Sequence, residues 1–212
     1  MAVQTKGSNG HYTGKVGNTI GYVVDGRQLM SGLHDPSSKP PTADQVNHRL
    51  KFGMITGFLA DMADMVDVGF QKHSAFTSAM NAAVSYNVKN AVTGVGPNYE
   101  IDFSKVLLAS GKTNEPEGLV VVAEAARKLK FTWEDYGDFR NTRGSDKLML
   151  LVYCPVTDKY FIVPPLVLRS ALTYTLTLPA HFTDQVVHCY LMFISEKGVS
   201  SNSVYKGPIT VV

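Results

Sequence analysis

Residues 42–68, TADQVNHRLKFGMITGFLADMADMVDV, form the longest stretch with a helical period, and they separate two unlike regions. Before them the chain is rich in glycine; after them it turns steadily to short β-type runs. Pro40 and Pro41 stop whatever precedes. Thr42-Ala43-Asp44-Gln45 then has the form of a capping box, the Thr42 hydroxyl accepting from the Gln45 N–H while the Gln45 amide reaches back. Val46, Leu50, Met54 and Phe58 recur every fourth residue, with Ile55, Met62 and Met65 widening the stripe. Gly53 and Gly57 lie beside it. A glycine inside a helix costs about 1 kcal/mol against alanine, so the pair implies close approach of another element. The partner expected is a second helix over 74–91, with a small-residue face at Ala75, Ala79 and Ala83 flanked by Phe76, Met80, Val84 and Val88. The expectation is a tight αα-hairpin, glycines against alanines.

Asp61, Asp64 and Asp67 repeat every third residue and invite a metal reading. On a helix they spread over about 120°, too wide for three ligands of one ion without a bend. Asp64 and Asp67 would also stand near the helix C-terminus, where the dipole disfavours anions. A kink or stop near Ala60 and a solvated acidic face follow from this, and no metal ligand is assigned.

Outward from the helix, the N-terminal side reads as an assembly arm. Residues 1–18 are Gly-rich and extended. TIGYVV (19–24), Asp25-Gly26 and RQLM (27–30) form a strong hairpin signal, because Asp-Gly supplies the positive φ of a type I′ turn. A lone two-stranded hairpin is marginal in water and must pair with a sheet or another subunit. The segment LHDPSSKPP (33–41) is a linker of polyproline character.

The C-terminal side alternates strands and turns. Strands are predicted over 99–109, 118–123, 129–133, 148–153, 160–163, 171–178, 186–195 and 202–211, with a long polar loop over 134–147. Residues 186–195 read as an apolar central strand. Short strands, turns every 8–15 residues and a single tryptophan, Trp133 on the third strand, point to an immunoglobulin-like sandwich without its inter-sheet disulfide. The fold expected is therefore α+β, in three parts: a Gly-rich arm, β-hairpin and linker (1–41), a helical pair (42–98) and an antiparallel sandwich (99–212).

Composition excludes several function classes. The chain of 212 residues is 44% hydrophobic with a formal net charge of +2, too small to argue for a nucleic-acid partner. No run of 18 apolar residues suggests a membrane span, and MAVQTKGSNGHYTG lacks the apolar region of a signal peptide. A cytoplasmic or particle-associated protein is expected, with Cys154 and Cys189 reduced.

No catalytic, cofactor or metal site stands out. Gly14-Lys15-Val16-Gly17-Asn18-Thr19 superficially resembles a phosphate loop, but Lys15 precedes the second glycine and a strand follows. His11, His34, His48, His73, His181 and His188 are scattered, with no spacing that suits a zinc or nucleophile motif. His188 and Cys189 are adjacent on a predicted strand and so face opposite ways. The densest basic cluster is Arg127, Lys128 and Lys130 with Arg140 and Arg143, next to Phe131 and Trp133. It offers a possible binding surface, even for single-stranded nucleic acid, against the plainer reading of a charged strand edge.

Further features carry a resemblance. Gly14-Lys15-Val16-Gly17 stands in the arm, and Lys39-Pro40-Pro41-Thr42 with Gln45 precedes the first helix. Ser85-Tyr86-Asn87, Pro97-Asn98-Tyr99, Ile101-Asp102-Phe103-Ser104-Lys105-Val106 and Ser201-Asn202-Ser203 with Tyr205 and Gly207 follow. In these the chain resembles an uncharacterised family of proteins of about this length common in Bacteroidota. The resemblance implies no activity. The function expected is a non-catalytic, self-assembling structural protein, such as a coat, tube or filament subunit of a phage-like or intracellular particle. Its own copies are the partners, through Gly14, Lys15, Val16, Gly17, Tyr22, Val24, Asp25 and Gly26. The alternatives are a module binding protein, glycan or nucleic acid through sandwich loops, and an enzyme using Asp61, Asp64 or Asp67 with a cation.

Overall fold

The computed structural model describes residues 3–4, 10–24, 26–35, 38–70, 77–134, 137–138 and 141–212. The chain divides into two compact units, Met1–Thr42 and Ala43–Val212.

The first unit is an antiparallel sheet of β1 (Val3–Gln4), β2 (Tyr12–Val16), β3 (Thr19–Val24) and β4 (Arg27–Gly32), in that spatial order. The hairpin read from the sequence is present, with Val24 opposite Arg27 and Gly26 at φ +74°. Asp25 lies outside the described residues. The extended arm joins this sheet, since its Gly14-Lys15-Val16 segment lies in β2. It turns through Gly17 and Asn18, so that Val16 meets Thr19 and Gly14 meets Gly21.

The second unit has three layers. β7 (Glu117–Glu124), β8 (Lys128–Glu134) and β11 (Thr173–Thr177) form one sheet in the order β11-β8-β7. β9 (Lys147–Cys154), β10 (Lys159–Leu168), β12 (Val186–Ile194) and β13 (Val204–Thr210) form the other, in the order β10-β9-β12-β13. These seven strands make the immunoglobulin-like sandwich, in the variant where the fourth strand pairs with the third instead of remaining on the first sheet. Helices α1 (Ala43–Ala60), α2 (Ala63–Gly69) and α3 (Ala79–Asn90) supply the third layer.

Alternation along β9 and β12 builds two cores. Leu148, Leu150, Val152 and Cys154 join Cys189, Leu191 and Phe193 between the sheets. Met149, Leu151 and Tyr153 join Tyr190, Met192 and Ile194 against the helices. Successive strand residues point to opposite faces, so two runs with no polar alternation mean two buried faces.

The helices depart from the sequence reading in three ways. α1 does end at Ala60, before the turn that carries Asp61. Its buried residues, however, are Ile55 and Leu59, continued by Met62, Met65 and Val66, whereas Val46 and Leu50 are exposed. The second helix begins at Ala79, not near residue 74, because Ser78 is extended and caps it by accepting from the Asn81 N–H at 3.2 Å. Residues 74–76 of the expected helix lie outside the described residues. Finally, Gly53 and Gly57 face open space rather than alanines. The close approach is made by Gly69, where a Cβ would stand 2.5 Å from the Leu108 carbonyl oxygen.

The strand expected over 99–109 stops at Ile101. Residues 98–101 close a short hairpin, β5 (Val92–Val95) with β6 (Asn98–Ile101), and Asp102 then caps a 3-10 turn at Phe103–Lys105. Beyond it, side chains replace a ladder. Asn87, fully buried, accepts from Leu107 N–H at 2.9 Å and donates to the Leu107 carbonyl at 2.8 Å. The Ser203 hydroxyl accepts from Leu108 N–H at 2.9 Å. Without that strand in the sandwich, Trp133 falls on its second strand rather than the third. It remains a core residue, buried, with its indole N–H donating to the Arg169 carbonyl at 2.7 Å.

Gly53→Ala is expected to raise stability by about 1 kcal/mol, since the new methyl enters solvent on a helix. Gly69→Ala is expected to lower it by roughly 1–3 kcal/mol, because backbone atoms must move. Urea denaturation of both variants checks the pair. A loss at Gly53 would mean that something packs there.

Candidate functional site

The expected assembly residues lie together on the first unit's sheet. Tyr22 and Val24 share one face of β3 with Leu29, the cross-strand neighbour of Tyr22. Val23 and Met30 occupy the other face, the one that also carries Val16 on β2. All of these apolar side chains are exposed, Met30 to 65%. In β3 and β4 only Gly21 is buried. Among the described residues β4 pairs with β3 alone, which leaves its outer edge open. Lys15 is exposed, directly across from Ile20. The Tyr12 and Thr19 hydroxyls hydrogen-bond to one another and close the β2–β3 corner.

The predicted basic surface separates into two places. Arg127, at φ +59°, is tied to the C-terminal end of the chain: its N–H donates to the Val212 carbonyl at 2.6 Å and its Nε to the Leu178 carbonyl at 3.2 Å. Lys128 and Lys130 are exposed on β8, opposite Thr177 and Thr175. They are not on a sheet edge, because β8 lies between β11 and β7. Phe131 and Trp133 point the other way, into the core. Arg143 belongs to the far end of β8, roughly 20 Å along a strand of this length. Arg140 lies outside the described residues.

Around Arg143 is a feature that sequence reasoning missed. Asp146 and Arg169 form a buried ion pair, Nε to Oδ2 at 3.3 Å. Asp146 Oδ2 also accepts from the Arg143 N–H at 3.0 Å, and Arg169 Nη2 donates to the Asn114 carbonyl at 2.7 Å. The guanidinium lies 3.8 Å from the centre of the Phe193 ring, which meets Trp133 edge-on. Burial of two charges costs several kcal/mol each, and added contacts of this kind help to offset it. Among the described residues Asp146 Oδ1 has no hydrogen-bond partner. An unmet buried acceptor of that kind costs about 1–3 kcal/mol.

Asp146 lines a cleft of about 390 Å³ between three loops. Lys112 comes from the loop before β7, Arg143 from the loop before β9, and Glu196 and Lys197 from the turn after β12. The loops are held to one another: Asn141 Nδ2 donates to the Lys112 carbonyl at 2.9 Å and Asn114 Nδ2 to Thr142 Oγ1 at 2.6 Å. Thr113 N–H donates to the Ser200 carbonyl at 3.0 Å.

The remaining candidates stay apart. Cys154 and Cys189 are free thiols inside the sandwich, and burial pushes the Cys189 thiol up to about 12. His188 faces the helical side, where its Nδ1 meets the Tyr205 hydroxyl at 2.8 Å and its ring lies 4.5 Å from that of Phe103. Asp61, Asp64 and Asp67 are all exposed, and no three His, Cys, Asp or Glu side chains converge among the described residues.

Two outcomes follow. Arg169→Ala is expected to cost about 3–5 kcal/mol in urea denaturation, because Asp146 is left buried without its counter-charge. Burial lowers the pKa of His188, so the unfolded chain binds its proton more readily than the folded one. The contribution of His188 is complete above about pH 6.5 and is lost as pH falls below it. The melting temperature is therefore expected to drop between about pH 7 and 5.5, less steeply in His188→Gln. Equal slopes for the two proteins would count against this.

Comparison with known proteins adds a family but no activity. The chain matches the model described as "Family of unknown function (DUF6266)" over residues 10–207. No curated protein matches it. Among solved structures it is similar to the fn3 domain of human collagen alpha-1(XX) chain, determined in solution, at 17% identity and a TM-score of 0.36, over 49% of this chain and 91% of that one. The sandwich is established by its own strand order rather than by that likeness. Because the family match takes in β2, the helices and the sandwich alike, the chain belongs to the Family of unknown function (DUF6266).

Proposed function

We propose that the protein is a non-catalytic structural subunit that assembles with copies of itself through its N-terminal sheet. The observation that carries this reading is the exposure of Tyr22, Val23, Val24, Leu29 and Met30, apolar residues on both faces of one hairpin. A sheet normally buries at least one face, and a unit of about 40 residues or fewer usually needs outside help to stay folded. The open edge of β4 offers the means. An antiparallel β4–β4 pair across a two-fold axis would satisfy both edges with the same residues and close the contact. A further sheet or helix laid on the Tyr22–Leu29 face would extend the assembly toward a tube, coat or filament.

Light scattering with negative-stain imaging tests the reading on three proteins: the full chain, a chain starting at Pro40, and Leu29→Lys/Met30→Lys. The full chain is expected to give a multiple of the monomer mass. The other two are expected to be monomers that melt normally, because among the described residues the two cores of the second unit use none before residue 43. A full chain that stays monomeric at high concentration would sink the reading.

A further inference from the structure

Opposite the side of α1 that buries Ile55 and Leu59 run Ala43, Val46, Leu50, Gly53, Gly57 and Ala60, all exposed. Their spacing, three and four residues in turn, is that of a coiled-coil seam, and none of the six has a polar side chain. A helix face that meets only water is normally polar. The two glycines sharpen the point. Inside a helix each is worse than alanine by about 1 kcal/mol, and among the described residues nothing lies within 4 Å of where either Cβ would stand. Described packing within the chain does not account for them, so the close approach they permit belongs to a neighbour outside it.

The order of sizes along the seam identifies that neighbour. Val46 and Leu50, the large residues, occupy its N-terminal half, and Gly53 and Gly57, the small ones, its C-terminal half. Turned end for end about a two-fold axis at its centre, the seam matches itself. Leu50 falls opposite Gly53, Val46 opposite Gly57 and Ala43 opposite Ala60, so every layer holds a nearly constant volume. A parallel pair would set leucine on leucine and leave a gap at each glycine. A foreign helix asks for no such symmetry in this one, whereas a two-fold contact between copies requires it. Charge does not oppose the pairing: Asn47 and Met54 border the seam on one side, Arg49 and Thr56 on the other, one charge per helix.

We infer that α1 is a self-association surface: the helices of two copies pack antiparallel across a two-fold axis, Val46 and Leu50 of each lying over Gly57 and Gly53 of the other. The contact is small. A helix of 18 residues is about 27 Å long, and a strip about 10 Å wide along it amounts to roughly 500 Å² over the two copies, below the ~1,000 Å² of a stable interface. In dilute solution α1 is therefore unpaired, and the gain expected from Gly53→Ala is the monomer's. The pair forms where subunits are already crowded, and there it joins the units built by the N-terminal sheet to one another. That role rests on the assembly proposed above; the helix pairing itself does not.

Disulfide trapping tests the pairing, since Cys154 and Cys189 are buried and a cysteine placed on α1 is the accessible thiol. Full-length Leu50→Cys and Gly53→Cys proteins are mixed at high concentration under mild oxidation. Random collision gives the mixed 50–53 disulfide in about twofold excess over each like pair. The antiparallel seam is expected to give at least about tenfold, because only facing positions meet the Cβ separation that a disulfide needs. Gly57→Leu, added to both proteins, fills the hole opposite Val46 and is expected to cut the mixed disulfide about tenfold. Its melting temperature is expected to hold or rise, since leucine is the better helix former. Both results are expected in the Leu29→Lys/Met30→Lys background too, which separates this contact from that of the N-terminal sheet. Random proportions, an excess of 50–50 over the mixed disulfide, thiols that stay free because something else covers α1, or a yield unmoved by Gly57→Leu would each overturn the inference.

Discussion

The fold of the second unit depends on two strands that have no solvent face. In β9 every residue from Leu148 to Cys154 is buried, and β12 is closed on both sides over most of its length. A slip of one residue in the pairing of Leu191 with Leu150 would send Met149, Leu151 and Tyr153 into the sandwich and Leu150 and Val152 toward the helices. The two faces are not interchangeable. On the sandwich side stand Cys154 and Cys189, which need no hydrogen-bond partner. On the helical side stand Tyr153 and Tyr190, whose hydroxyls reach Asp158 and the Phe103 carbonyl at the margin of the layer. Their polar tips thus select the face, and the register follows.

The same constraint explains why the helices belong to the unit that holds the sandwich. Without them Met149, Leu151, Tyr190 and Met192 would face water, and each such side chain is worth about 1.5–3 kcal/mol when buried. That sum is comparable to the whole stability of an ordinary domain. Helices and sheet are held in place by polar clamps rather than by a ladder. Asn87 binds residue 107, Ser203 binds 108 and 109, Asn202 binds Gly111, and Ser200 reaches back to Gly69. Several of these are the residues that carried the family resemblance in the sequence, and their shared chemistry is the satisfaction of buried backbone groups.

Local signals in the sequence were legible where one residue type decides the geometry. Asp25-Gly26 marked the hairpin, the Thr/Leu alternation at 173–178 marked β11, and the acidic repeat marked the end of α1 at Ala60. Signals that need a partner were not. Gly53, Gly57 and Gly69 are alike in sequence, yet only Gly69 meets another backbone, and that backbone lies about 40 residues away along the chain. The stripe through Val46 and Leu50 and the stripe through Ile55 and Leu59 are both helical in period, so periodicity could not choose between them. Residues 99–109 are apolar enough for one strand, but at 107–109 the backbone bonds go to Asn87 and Ser203, which no local pattern displays. The ion pair was hidden for the same reason: Asp146 and Arg169 flank a hairpin and read separately as loop charges.

The two units differ in kind, and this bears on how the chain is used. The second closes its apolar surface with its own residues, in two cores joined through one sheet. Among its described residues the first has no core of comparable sort: from Tyr22 to Met30 its large apolar side chains are exposed, and hydrogen bonds between strands are the main cohesion they show. Backbone hydrogen bonds exposed to water each contribute only about 0.5–1.5 kcal/mol net, while each ordered residue costs about 1–2 kcal/mol of entropy. A sheet on these terms does not stabilise itself. The proposed self-assembly would supply the missing burial by covering Tyr22, Val24 and Leu29 on one face or Val23 and Met30 on the other. Since both faces carry such residues, a single covering element would leave one face open, whereas the repeating contact proposed above would leave neither.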